Sequence, residues 1–429
     1  MKIEKINRLN QKYFYYALIL GVVLLITVSS IFSYAKYQRI EDIKLVEGNI
    51  NYKPYDFKMM AMYKSDDGTN YTEIDTLPES RYLINEEKSY CTVNNVDKDN
   101  NARIYTNNGE HIIKNLSKNE KCYLYFDNAT TAKSIDELVN KLSKIAKIES
   151  PDFSKIATTD EGVYKERDGM YGGYSYYWRG ASTTNYVKFG GYCWRIVRIN
   201  GDGTMRLIYD GTTCHNNGEI TTDSIVTNTA YNTNYNKSEY VGWTYTEGLQ
   251  RPTNNNEGTD TSIKITLENW YNINLKSQET KIADGKYCND RNTKSGQSWS
   301  SAPNNSFYYV PLERRNVNAP TLSCYENDIY TLKIGFITLD EVIYAGGRSD
   351  DNSLYYLYNG QDYWTMSPCW WYHDSINYSA VILAINSNGN IGGFYGTGNI
   401  LGVRPVINLI SNLSISGGNG TINNPYIVN

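Results

Sequence analysis

The first long apolar pattern lies at the start of the chain. Lys2, Lys5, Arg8 and Lys12 precede an uncharged run, Tyr13 to Tyr34, rich in Leu, Ile and Val. A run of that length can cross a bilayer as one helix, with its positive flank inside. Residues 1–12 therefore read as a cytoplasmic basic segment and 13–34 as a transmembrane helix or uncleaved signal. The bulk after Lys36 is then extracellular. Ser33-Tyr34-Ala35 offers a signal-peptidase site, so a secreted form is the alternative.

From 45 to 128 the pattern changes to short strands. Asn49 to Tyr52, Phe57 to Tyr63, Ser89 to Val93, Arg103 to Tyr105 and Lys121 to Phe126 are separated by turn sequences such as Asp66-Asp67-Gly68 and Asn107-Asn108-Gly109. This spacing predicts a small β-sandwich acting as a stalk. Residues 129–158 form a helical linker, in which Ile135, Leu138, Val139, Leu142 and Ile145 recur at helical spacing over 133–147. Ser134 and Glu137 are spaced as a capping box at its start.

The remainder, 163–429, alternates again. Tyr192 to Ile199 and Thr204 to Tyr209 flank Asn200-Gly201-Asp202-Gly203, a hairpin signal. A polar loop runs from His215 to Asn256. Helices are predicted over Ser262 to Ser277 and from Thr338, where Thr338 and Glu341 make a capping box with Ile337 and Val342 as a staple. The last strands are Tyr363 to Met366, Ser379 to Ile385, Asn390 to Tyr395 and Val403 to Leu409. The fold class expected is α+β: an N-terminal transmembrane helix, a small β-sandwich, then twisted antiparallel strands with two helices and long loops.

Composition narrows the partners. A net charge of −4, with Lys and Arg dispersed past the N-terminus, gives no reason to expect nucleic acid. Tyrosine is in excess at 41 residues, so aromatic chemistry informs only where it clusters. It clusters after Pro368, in Trp370, Trp371, Tyr372, His373, Asp374, Asn377 and Tyr378, with Asn390 and Tyr395 further on. Rings give contact area at low entropic cost and Asn gives adaptable hydrogen bonds, so these nine residues are the candidate ligand-binding surface. Core packing is the competing role for Trp370 to Tyr378.

The seven cysteines fall as Cys91 with Cys122, Cys193 with Cys214, Cys288 with Cys324, and Cys369 alone. Spacing does not fix connectivity, but near-neighbour bridges are the simplest set in an exported chain. No CxxC occurs and His111, His215 and His373 are isolated, so no transition-metal site is expected. Calcium stays open, with Asp350, Asp351, Asn352, Asp374 and Asn377 as oxygen donors in loops. His373 with Cys369 and Asp374 is the best catalytic constellation available, and four-residue proximity is little to build on. Arg404, inside an apolar strand, reads as a structural cation.

Several motifs carry a resemblance. Tyr176-Tyr177-Trp178-Arg179-Gly180-Ala181, Trp194 to Gly203, Ile334 to Thr338, Asp340-Glu341-Val342, Tyr363 to Pro368 and Gly402 to Ile407 together resemble exported, membrane-anchored Firmicutes surface proteins. Their C-terminal domain is C-type-lectin-like, of the formylglycine-generating-enzyme-like branch. Near the N-terminus, Ser33-Tyr34-Ala35 and Leu45 to Ile50 resemble the camelysin/TasA type of matrix proteins. The first resemblance implies a fixed frame displaying variable loops. The function expected is that of a non-enzymatic, adhesin-like cell-surface protein that binds an extracellular protein or glycan. A matrix or fibre subunit and a formylglycine-generating-type oxidase are the alternatives. The oxidase uses two nearby cysteines to hold copper, and Cys369 has no evident late partner.

Overall fold

The computed structural model describes residues 60–428 except 80, 94–96, 108–109, 117–119, 129–130, 256 and 375, together with Tyr16 and 43–45. Two main hydrophobic cores organise these residues, with a small third cluster of Tyr164, Tyr177, Leu322 and Tyr344. In the first, strand Glu120–Asn128 buries alternate residues, among them Cys122, Leu124 and Phe126. It pairs in parallel with Met60–Ser65 and antiparallel with Tyr90–Val93 and Tyr82–Ile84. A second sheet of Ile43–Leu45, Glu110–Lys114 and Arg103–Asn107 adds Ile104 and Ile113 to the same core. Cys91 and Cys122 are direct cross-strand neighbours and are bridged.

Helix Ile135–Ile145 follows. The Ser134 side chain accepts from the Glu137 N–H at 3.1 Å, while the Glu137 carboxylate reaches back to the Lys133 N–H at 2.8 Å. The box therefore closes one residue earlier than its sequence form. Ile135, Leu138 and Leu142 are buried in the second, larger core. The chain turns extended at Ala146 and the helix stops.

A nine-stranded sheet backs that larger core. Its order is Ile334–Gly335, Val406–Leu409, Met205–Gly211, Tyr192–Ile199, Tyr186–Phe189, Tyr426–Val428 and Ile415–Gly417; Tyr174–Gly180 and Asp160–Arg167 extend it from Tyr192–Ile199. A six-stranded sheet runs Thr227–Ala230, Ile400–Val403, Tyr363–His373, Tyr378–Ile385 and Gly393–Gly396, with Phe307–Tyr308 beside the far half of Tyr363–His373. One segment serves both sheets, because Ile400–Val403 lies in the six-stranded sheet and Val406–Leu409 in the nine-stranded one. Arg404 and Pro405 make the crossing. The buried Arg404 guanidinium donates to the Tyr209 and Leu357 carbonyls at 2.8 and 2.6 Å, beside Asp210. Pro405 has no N–H to leave unpaired there. The reading of Arg404 as structural holds.

The expected fold class does not. The molecule is mainly β, with 38% strand against 15% helix, rather than α+β. Among the described residues no helix is long and apolar enough to cross a membrane; residues 13–34, Tyr16 apart, lie outside them. So do Ser33 to Ala35 and Asn49 to Tyr52. The two foreseen helices are short, Ser262–Asn274 and Leu339–Tyr344, and a third was missed at Val310–Asn316, with Pro311 in its first turn. The extra strands were hidden by their polarity. Thr227–Ala230, for one, lies within the supposed polar loop. The foreseen hairpin strands form as Tyr192–Ile199 and Met205–Gly211, and they bury Arg195, Arg198 and Arg206 among apolar residues.

Arg195 is held by Asn185, Asn217 and the Ser182 carbonyl, and the other two meet carboxylates. Arg198 meets Asp168 at 2.8 Å and Glu341 at 3.1 Å, and Arg206 meets Glu341 at 2.5 Å, all with side chains at most 3% exposed. Burial alone would raise the Glu341 pKa; Arg206 and Arg198 outweigh it and hold it low. Glu341 also completes the capping box with Thr338, so one carboxylate starts a helix and neutralises two strands. The Cys193–Cys214 and Cys288–Cys324 bridges complete the near-neighbour disulfide set.

Candidate functional site

The long strand Tyr363–His373 positions the candidate surface. Its register against Tyr378–Ile385 shifts twice, between Trp364 and Pro368 and between Pro368 and Trp370. A bulge re-aims the side chains that follow it. Beyond the second shift Trp370 pairs with Val381 and Tyr308, while Trp371 pairs with Ala380 and Phe307. Strand alternation then sends the adjacent tryptophans to opposite faces.

The Trp371 face is core. Trp371 is 1% exposed, its indole N–H reaches the Pro303 carbonyl at 3.3 Å, and Phe307 and Ala380 are buried with it. Tyr378 covers its edge, the two rings lying 6.3 Å apart and nearly parallel. The expectation that Trp371 touches ligand is therefore corrected: the residue is interior, displaced by the register shift before it.

The Trp370 face is an aromatic shelf. Leu383 pairs with Phe394, which puts Phe394 on the same side as Val381 and Trp370. The Trp370 and Phe394 rings stack at 5.2 Å and 17°. Tyr308 leans on Trp370 at 5.4 Å and Tyr372 lies 6.4 Å away. Trp370 is half-buried beneath them. Tyr308, Tyr372 and Phe394 keep 38%, 40% and 42% of their surface, so three rings face solvent around one anchored indole. The Arg315 guanidinium lies 5.4 Å from the Phe394 ring centre.

The other candidates scatter. Asp374 holds its own turn, accepting from the Tyr372 hydroxyl at 2.6 Å, the Ile376 and Asn377 N–H groups at 2.9 and 2.7 Å, and the Asn377 amide at 3.3 Å. These donors, the Tyr372 hydroxyl first, push its pKa well below the usual carboxylate range. Asp374 thus fixes the Tyr372 ring. His373 is half-buried and shares Trp371's side of the strand. Tyr395 points away from the shelf, its ring edge-on to Trp364 and its hydroxyl on Asp362 at 3.1 Å. Asn390 donates to Asp351 in a neighbouring turn. Neither Tyr395 nor Asn390 belongs to the shelf. The sequence reading missed Tyr308, Phe394 and Arg315. Phe394 was within reach, since residues 381, 383 and 394 share a face once the Asn386 to Gly389 turn sets the register.

The chemical alternatives lose their geometry. Cys369 is fully buried, and burial pushes its thiol pKa up, away from a thiolate. His373 is four positions further along the strand, about 13 Å along an extended chain. The other six cysteines are bridged, which leaves a two-thiol copper site without a second thiol. For calcium, Asn352 is spent on the Ala157 and Gly346 carbonyls and Asp351 faces Asn388 and Asn390. Asp374 lies in a different turn. Among the described residues no three His, Cys, Asp or Glu groups converge to hold a metal.

No family model matches the chain, and comparisons with curated proteins and with solved structures give no match.

Proposed function

We propose that this is an exported, adhesin-like binding protein that holds an extracellular ligand non-covalently on the shelf formed by Tyr308, Trp370, Tyr372 and Phe394. The observation that carries the reading is the shelf itself. Three large rings stay about two-fifths exposed on a sheet whose other face is packed core, and apolar surface of that kind is kept for contacts. The platform is stiff. Trp370 is clamped between Phe394 and Tyr308, and Asp374 holds Tyr372 by its hydroxyl, so little side-chain entropy remains to be lost on binding. Three disulfides support an oxidising compartment outside the cytoplasm. The test is a glycan and protein array probed with the full chain. The double variant Tyr372→Ala with Phe394→Ala should lose every specific signal while keeping the parent's circular dichroism. An unchanged array profile would overturn the proposal.

A further inference from the structure

The guanidinium beside the shelf lacks a carboxylate that several buried arginines have. Arg314, Arg198, Arg206 and Arg291 each meet a carboxylate; Arg314 makes paired bonds of 2.9 and 2.8 Å to Asp340 and one of 2.6 Å to Asp290. Arg315, the next residue, meets none within 4.0 Å among the described residues. Its one hydrogen bond goes to Asn316 at 3.1 Å, and its Nε is buried without a partner. Arg348 adds a second positive charge close by, and its Nε is buried and unpartnered too. Exposed Asp350 is the one carboxylate acting on Arg315 at longer range. Burial, joined by the like charge of Arg348, holds the Arg315 pKa below the usual guanidinium range, which marks a cation lacking its anion.

We propose that the shelf takes an acidic saccharide, whose carboxylate seats on Arg315 while the sugar packs against the exposed edge of Phe394. This rests on the shelf being the binding surface. Trp370 stacks on Phe394 and Arg315 lies over it, so the ring offers its exposed edge to the apolar C–H groups of a pyranose, and a carboxylate suits the planar guanidinium fork. Arg315 lies against Phe394, so one sugar residue reaches both.

An extended acidic peptide is the rival occupant, because Gly393–Gly396 is the outer strand of its sheet. The Ala380 N–H goes to the Tyr235 carbonyl and the Ala380 carbonyl accepts from Thr397. By alternation Ile382 and Ala384 then pair towards Gly393–Gly396, and the N–H and carbonyl of Phe394 point outward. No partner for them exists among the described residues. The Gly396 carbonyl is already taken by the Asn399 N–H at 2.9 Å. The open edge is thus one residue long, too short to template a strand, and its free donor and acceptor match sugar hydroxyls.

The test is calorimetry on the full chain with trigalacturonate, its carboxyl-reduced counterpart, a sulfated galactan trimer and an acidic aromatic hexapeptide. Trigalacturonate should bind roughly tenfold or more tighter than the reduced sugar, as a charge-assisted bond requires, and weaken as salt rises. Arg315→Gln should bring it down to the reduced sugar's level, Arg315→Lys should recover part, and both variants should melt like the parent. A sulfated trimer that binds more tightly than the uronate would replace the carboxylate with a sulfate and overturn the anion assigned here. Equal binding of the reduced sugar, indifference to Arg315→Gln, tighter binding of the peptide, or silence with every saccharide would also overturn it. An array ligand that needs Phe394 but not Arg315 would sink this inference and leave the shelf standing.

Discussion

Two histidines respond to pH in opposite directions, and each is fixed by its immediate contacts. His111 is buried beside Phe126 with Thr106 on its Nδ1, and burial pulls its pKa from 6.5 to about 4. Between those values the unfolded chain binds a proton that the folded chain refuses. Stability is therefore full above pH 6.5 and falls as pH drops through the window, by about 2 kcal/mol at pH 5. Urea melts at pH 7.5 and 5.0 should show that loss, and His111→Leu should abolish the difference. His215 behaves inversely. Burial lowers its pKa, but Glu219 at 2.8 Å and Asp223 at 3.0 Å, reinforced by Asp210, raise it overall. Its contribution is full below pH 6.5 and is lost as pH rises through the raised value. Amide protection factors across 212–223, corrected for intrinsic exchange, should fall on alkaline titration, and His215→Gln should remove that fall. Glu341 is the third residue on which much depends. Glu341→Ala strands Arg206 in the interior, leaves Arg198 with Asp168 alone, and should cost about 3–5 kcal/mol by chemical denaturation.

At the scale of elements, what could be read ahead was what neighbouring residues settle between themselves. Thr338 and Glu341 cap a helix because three residues of spacing suffice, and Asn200 to Gly203 turns a hairpin for the same reason. The near-neighbour cysteine pairs close short loops. The faces of strand Tyr363–His373 were not readable, because two register shifts lie inside it and a single extra residue exchanges inside for outside. That is why Trp370 and Trp371, equal in sequence, separate into shelf and core, and why Phe394 rather than Tyr395 joins the shelf. The Gly402 to Val406 motif was visible, but its role in carrying one segment between two sheets needs partners almost two hundred residues away, such as Tyr209. The two faces predict opposite phenotypes. Trp371→Ala should cost about 3–5 kcal/mol by leaving a cavity against Phe307. Phe394→Ala should cost about 1 kcal/mol or less in stability and remove ligand binding. Thermal melts of both variants decide it; similar large losses would put Phe394 in the core.

For the whole molecule, the separation into two cores sets how it comes apart. Met62, Tyr82, Ile84, Leu124 and Phe126 pack with one another, whereas helix Ile135–Ile145 sends its buried face into the larger core with Trp178, Trp194 and Trp364. A disulfide in one core should then stabilise that core in preference to the other. Cys91–Cys122 closes a loop of 31 residues inside the smaller core, which chain entropy values at about 3–4 kcal/mol. Removing it as the double variant Cys91→Ser with Cys122→Ser should lower one calorimetric transition and leave the second near its parent temperature. Among the described residues the smaller core has nine buried side chains and two of them are these cysteines, so its transition should fall well below that of the larger core. The shelf is anchored to the larger core through Trp370, and ligand should raise only the upper transition. A single merged transition shifting as one, in the variant or on adding ligand, would mean that the two cores unfold as a unit. Acid loss through His111 should follow the same division, since His111 packs edge-on to Phe126 of the smaller core. At pH 5 the lower transition should move and the ligand-responsive one should stay.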